Sequence, residues 1–466
     1  MNFDMSLNFK SGRRPRRPQQ LAAVGAPANC RTRRQNLIYR QLLKVVFISL
    51  IFCSGNCAFA QAPDSIYVNN IRTVRLYNYG NQLTIPLIKL NSNDQVELHF
   101  DDLDADVKYY YYTYQLCNEN WEPLPLSSFD YLKGFNQMRI NSYRFSSVAL
   151  TRYTHYQAVL PDRNIYPTKS GNYLLKVFLN GDTSQLVFTK RLMVLDSKSS
   201  IVARVTQPHA PQYFRTHQKI QFTIDVKGLG AFNAAQQIKV VVLQNNRWDN
   251  AMKDLKPTFI RGTTLEYNSE NTAVFPSGKE WRWLDLRDFH LQSDRVLNAD
   301  YKKYSTDIFL KPDGSRAAQR YVYYRDLDGM SSIEAIRGIN PFWEGDYATV
   351  YFSFMPPNGI AYTNKDIYLF GQLTNYNYAD SLKMIFNPEK KMYETHLLMK
   401  QGYYDYTYVA VDKNDPSIRE ELDGDYFETE NLYTILVYYK SFTGRADELI
   451  GVATLASRSD QPGLSF

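Results

Sequence analysis

At 466 residues, the chain has room for roughly two to four domains of about 100–200 residues. Its 54 Lys and Arg against 47 Asp and Glu suggest a basic protein, yet ten of those bases and one acid fall in residues 1–60. The other 44 bases and 46 acids leave a net charge of −2, which excludes the basic footprint of a nucleic-acid or anionic-membrane binder.

Residues 1–60 have the pattern of an export leader with a signal peptide. Arg40 and Lys44 precede the apolar run "VVFISLIFC" (45–53), and Ala58 and Ala60 supply small residues for cleavage after Ala60. The run falls short of the ~20 residues a spanning helix needs, so no direct membrane span is expected. Cys53 and Cys57 follow Phe52 and Asn56, which are too large for a lipid-attachment site. The mature chain then keeps one cysteine, Cys117, and has no internal disulfide. In "YQLC" that thiol reads as a strand residue turned inward.

Beyond the leader, period-two alternation dominates. The segments 94–100, 109–116, 171–179, 184–195, 219–226, 237–244, 348–354, 366–371, 403–411 and 433–439 are short and rich in β-branched and aromatic residues. Asn, Asp, Gly or Pro bounds them, as expected of strands. No stretch sustains a helical apolar period over three turns. The fold class is therefore all-β, as tandem antiparallel β-sandwiches of Ig-like type. Linker signals at "DSKSS" (196–200) and "RGINPFWEGDY" (337–347) divide the body. The expected domains are 61–196, 201–338 and 341–450, with 451–466 as a flexible tail.

The stretch "DDLDADVKYYYYTYQLCNENW" (101–121) is the first candidate for chemistry. A calcium loop of EF-hand type needs a glycine at its sixth position and a Glu at its twelfth. Here there is no glycine, and the twelfth position from Asp101 is Tyr112. Asp101, Asp102, Asp104 and Asp106 instead read as a turn at a strand end, their side chains bonding local backbone N–H groups. In the strand that follows, Tyr110, Tyr112 and Tyr114 share one face. The stretch "YTYQLCNENWEPLP" followed by "SGNYLLKVFL" resembles Ig-like sensor repeats in which a Trp after a turn packs under the next strand, and that resemblance implies that Trp121 is core.

Catalytic and cofactor signals are missing. The six histidines, 99, 155, 209, 217, 290 and 396, stand singly, and none has metal-ligand spacing. There is no G-x-S-x-G, Walker loop or dinucleotide fingerprint. The expectation is a non-enzyme with no catalytic residue, no cofactor and no metal. The most distinctive aromatic segment is "GKEWRWLDLRDFHLQ" (278–292). In an extended strand Trp281 and Trp283, with Phe289 and Leu291, fall on one face. If exposed, the two tryptophans are the candidate partner-binding residues.

Several strings occur together in order: "FDDLDADVKYYYYTYQLCNENW", "YRFSSVALTRYTHYQAVLPDRN", "SGNYLLKVFLNGD", "VVLQNNRWDNA", "KEWRWLDLR" and "NPFWEGDYATVYF". Over residues 65–451 they resemble the plug protein family of the type IX secretion system. The resemblance implies a periplasmic, all-β, non-enzymatic subunit peripherally associated with the outer-membrane translocon barrel, its partner, whose periplasmic opening it blocks. The last domain, at 366–409, also resembles the glycogen-binding type of Ig-like carbohydrate module. It departs in carrying Tyr376 and Tyr393 where those modules stack sugar on tryptophan. The alternative function is accordingly a periplasmic glycan-binding protein with aromatic platforms. A polysaccharide-active enzyme would need two carboxylates facing each other at roughly 5–10 Å, which sequence alone does not reveal.

Overall fold

The computed structural model describes residues 63–230, 233–338 and 340–458. The leader, its cleavage after Ala60 and the cysteines Cys53 and Cys57 lie outside the described residues. All ten predicted strands form, among them Val96–Asp102, Tyr110–Cys117 and Leu432–Tyr439. The described helices are short, such as Ala234–Gln237 and Pro341–Glu344. Pairing is antiparallel except for three short parallel contacts among the described strands.

The first sandwich is contiguous in sequence. One sheet runs Ile71–Asn78, Val96–Asp102, Thr154–Leu160, Ser142–Phe145. The other runs Leu87–Lys89, Leu186–Leu195, Gly171–Leu179, Tyr110–Cys117, Met138–Arg139. Alternation places Tyr110, Tyr112 and Tyr114 in the core between them, with Phe100, Tyr156, Tyr173 and Phe188, while Tyr111 and Thr113 face outward.

The second and third sandwiches interleave, and here the expected boundaries need correction. Strand Ile238–Gln244 pairs with Leu432–Tyr439, which pairs with Glu448–Ala456. This three-stranded sheet shares a core with the sheet built on His217–Asp225. The second sandwich therefore takes its last two strands from the C-terminal segment. The expected tail also loses its start, since 451–456 completes the strand Glu448–Ala456. Conversely, Arg282–Asp285 pairs with Tyr403–Asp412, and Thr306–Leu310 with Tyr347–Met355, so 282–332 belongs to the third sandwich. The reason lies in burial. Leu432–Tyr439 is buried on both faces, which suits only a central strand covered above and below.

Both faces of that three-stranded sheet are used. Val240, Val242, Ile435 and Val437 point into the second core. Val241, Leu243, Leu436 and Tyr438 point the other way, against Leu174, Met193, Leu195, Cys117 and Trp121 of the first sandwich. Cys117 is a buried free thiol, pushed up to about 12 by burial, and Trp121 is core as expected. This junction is apolar, and each large side chain removed from water there contributes about 1.5–3 kcal/mol.

Candidate partner-binding surface

The edge of the first sandwich is where exposed apolar side chains and open backbone coincide. Among the described residues, Ser142–Phe145 ends its sheet, bonded only to Thr154–Leu160, and all four of its residues are exposed. In the stretch "YRFSSVAL" (143–150), Phe145 is 54% exposed, Val148 74% and Leu150 49%. An edge strand offers unpaired N–H and C=O groups, and exposed apolar side chains beside them suit a protein partner.

The third sandwich holds this segment in place. The Ser147 N–H donates to the Trp343 carbonyl at 3.2 Å. The N–H groups of Leu150 and Thr151 donate to the Asp346 carboxylate at 2.9 and 3.0 Å. The Arg144 guanidinium lies 4.7 Å over the Trp343 ring. Loop 142–151 is thus seated on a second domain, which lowers the entropy lost when a partner binds it.

Beneath it lies a buried charged clamp. His155, the strand partner of Arg144, donates from Nδ1 to Asp101 at 2.7 Å. The same carboxylate accepts from the Lys400 ammonium and the Tyr347 hydroxyl, each at 2.5 Å. Lys400 also donates to the Phe342 carbonyl at 2.6 Å and sits 4.0 Å over the Tyr153 ring. Asp101 and His155 come from the first sandwich, Lys400 and Tyr347 from the third, so these bonds hold the two together. Burial by itself would raise Asp101, but Lys400 and His155 outweigh it and hold the carboxyl below its usual range. His99 Nδ1 lies 3.1 Å from His155 Nε2, and its ring stacks on Phe342 at 3.9 Å. Burial, reinforced by His155, pushes His99 down to about 3. An Asp–His pair also appears in catalytic relays. Here both side chains are buried and their partners are protein groups, so the pair is structural.

The acidic run forms the expected turn in part: at the end of the strand, Asp102 Oδ1 accepts the Asp104 N–H at 3.0 Å. Asp101 and Asp102 are fully buried residues of Val96–Asp102, and only Asp104 and Asp106 lie beyond the strand. Asp102 accepts from Tyr110 at 2.8 Å and Asn70 at 2.6 Å. Lys108 lies 2.9 Å from Asp102 and 3.4 Å from Asp106, and also pairs with Asp104. One ammonium among three carboxylates does the neutralising a cation would do.

Trp281 and Trp283 are not exposed anchors. Trp281 is buried beside Phe370, Tyr368, Val409 and Val411. Trp283 is half-buried, stacked on Tyr403 at 6.3 Å with the Arg295 guanidinium 5.4 Å over its ring. The strand Arg282–Asp285 turns Arg282 and Leu284 inward and Trp283 and Asp285 outward. Trp281 precedes that strand, so the shared face with Trp283 is lost. Phe289 is buried and Leu291 exposed. Nor do the carbohydrate-module positions form a platform. Tyr393 is buried and its oxygen accepts from the Tyr362 N–H at 2.8 Å, while the Tyr376 hydroxyl donates to the Gly329 carbonyl at 2.9 Å. Sequence reasoning missed the Asp101–Lys400 pair because 299 positions separate the two residues. It missed the edge segment because exposure is not legible in "YRFSSVAL".

Residues 71–196 match a family model described as "Type 9 secretion system plug protein 1st domain", a span that coincides with the first sandwich. A crystal structure of a hypothetical protein from Parabacteroides merdae ATCC 43184 is similar at 29% identity and a TM-score of 0.81. That match covers 85% of this chain and 99% of the other. No curated protein matches this chain.

Proposed function

We propose that this chain, whose first sandwich belongs to the type 9 secretion system plug family, is a non-enzymatic periplasmic subunit that binds the outer-membrane translocon barrel and blocks its periplasmic opening. A role tied to that secretion system follows from the family match. The blocking of the barrel is our reading, and one observation carries it. The domain matched by the family is also the one whose edge presents Phe145, Val148 and Leu150 beside an open strand. Among the described residues no helix is long and apolar enough to cross a membrane, so attachment through a partner accounts for a place at the outer membrane. A standard interface buries about 800 Å² on each side, and the 142–151 segment supplies its apolar centre.

With a net charge of −2 beyond residue 60, long-range steering is weak. Raising salt from ~0.05 to ~0.5 M should weaken the complex only modestly. The test is affinity purification of the tagged protein from solubilised outer membranes, with mass spectrometry of what accompanies it. The expected companion is the translocon barrel, and a deletion strain should keep the barrel but admit molecules the outer membrane normally excludes. Recovery of no barrel, together with retention on immobilised glucan, would replace this reading with the glycan-binding one.

A further inference from the structure

The chain passes between the second and third sandwiches twice. It leaves between Val274–Pro276 and Arg282–Asp285, and returns between Arg419–Glu421 and Leu432–Tyr439. Five carboxylates gather near these crossings. Glu280 lies on the first crossing and Glu430 on the second. Asp326 and Asp328 belong to the turn "DLDGM" (326–330), and Asp405 to the strand Tyr403–Asp412. Backbone bonds tie the pieces together. The Glu430 N–H donates to Glu280 at 3.3 Å, the Trp281 N–H to Asp326, and the N–H groups of Leu327 and Gly329 to Asp405. At φ +78, Gly329 lets the turn press on the Trp281 ring, and a Cβ there would meet the ring at 2.6 Å.

All five carboxylates are buried, with Asp405 at 0%, Glu280 at 1% and Asp328 at 8% exposure. Oxygens of Asp326, Asp328 and Glu430 lie within 4.8 Å of one another. Two ligands of one calcium ion, each at about 2.4 Å, are separated by no more than twice that distance. A second observation points the same way. Asp328 Oδ1, Asp405 Oδ1 and Glu280 Oε2 are buried without any hydrogen-bond partner. Among the described residues, Glu280, Asp326, Asp328 and Asp405 also make no ion pair, whereas the buried Asp101, Asp102, Asp313 and Asp423 each meet a Lys or Arg. Buried carboxylates left unpaired are strongly unfavourable. The donors are all hard carboxylate oxygens, with no histidine or thiolate, which selects calcium over zinc or copper.

We propose that Asp326, Asp328 and Glu430 bind a calcium ion, backed by Asp405 and Glu280, and that the ion ties the two crossings between the second and third sandwiches. The site is independent of the partner surface.

The test uses the full mature chain stripped with EDTA. Titration calorimetry with calcium should give one site per chain. The unfolding midpoint should be several degrees higher in ~1 mM calcium than in EDTA, and magnesium should give a smaller rise. Terbium luminescence, sensitised by the neighbouring Trp281, should appear in the wild type and vanish in Asp328→Asn. In EDTA, Asp328→Asn should unfold at or above the wild-type midpoint, because one repelling charge is gone, while losing the calcium-induced rise. If that variant does not fold, Glu430→Gln makes the same comparison. Equal wild-type midpoints in calcium and EDTA, with no binding heat, would overturn the site. So would a full calcium rise in Asp328→Asn, or a response to magnesium alone.

Discussion

The third sandwich meets its two neighbours through buried charge, but the two junctions are built in opposite ways. Toward the first sandwich, Asp101 has Lys400, His155 and Tyr347 around it, and the carboxyl is held low by that company. Toward the second sandwich, Asp326, Asp328 and Asp405 face one another. Burial first, and then neighbouring carboxylates, push Asp326 up to about 7. Asp405 is pushed up to about 8 by burial and Asp326. Burial is similar at both, so what separates them is the partner. A carboxylate with its own ammonium makes a clamp complete within the protein, while Asp328 and Asp405, each with a buried oxygen that has no hydrogen-bond partner, leave room for something from outside.

Removing a partner from each junction separates them, and the largest effect belongs to the clamp. Lys400→Met leaves Asp101 buried without its cation, and should lower stability by about 3–5 kcal/mol in urea unfolding. A loss below about 1 kcal/mol would mean that the clamp is not holding the sandwiches together.

Acid should strain the same junction next. His99 is faced by His155, Asp101, Lys400 and Arg75, and its folded value of about 3 lies below the ordinary 6.5. Between those values the unfolded chain takes up a proton that the folded chain refuses, so stability falls as pH drops through 6.5 and is recovered on raising it. From about pH 7 to pH 5 this amounts to about 2 kcal/mol. Subtracting the same pH series for His99→Phe isolates that contribution, and an identical slope in the variant would remove it.

The smallest expected change, and the one of opposite sign, is at the other junction. Asp405→Asn in EDTA at a pH above about 8, where this carboxyl ionises, should be neutral or stabilising by up to about 2 kcal/mol, since it removes a buried charge with no cation of its own. A large loss in thermal unfolding would show that this carboxylate already has a compensating partner.

Much of this architecture is legible in the sequence. Strands such as 110–117 announce themselves because alternation assigns Tyr110, Tyr112 and Tyr114 to a single face. Which strands share a sheet is not legible. Leu432–Tyr439 finds Ile238–Gln244 across almost two hundred positions of chain, and nothing local records that choice. The same distance hides both charged junctions. Asp101 looks like a turn former within its aspartate-rich surroundings, and only the approach of Lys400 makes it a clamp. The carboxylate group draws on positions from 280 to 430, each unremarkable by itself. Trp281 failed as an exposed anchor because the strand phase begins one residue later, with Arg282 and Leu284 turned inward.

Both junctions bear on the proposed blocking role, because a body that seals an opening must present its contact edge without shearing. That edge lies directly over the compensated clamp, where Arg144 pairs with His155. The most direct measurement is recovery of the translocon barrel by tagged wild type and by Phe145→Asp/Val148→Asp, with Trp283→Ala as a second variant, all confirmed folded by unfolding midpoint. Both edge positions are exposed, so the double variant should keep the wild-type midpoint. Losing two apolar anchors of ~2 kcal/mol or more each should reduce recovery by at least tenfold. The Trp283→Ala protein should recover the barrel as the wild type does. Full recovery by the double variant, or loss confined to Trp283→Ala, would contradict binding through the edge of the first sandwich.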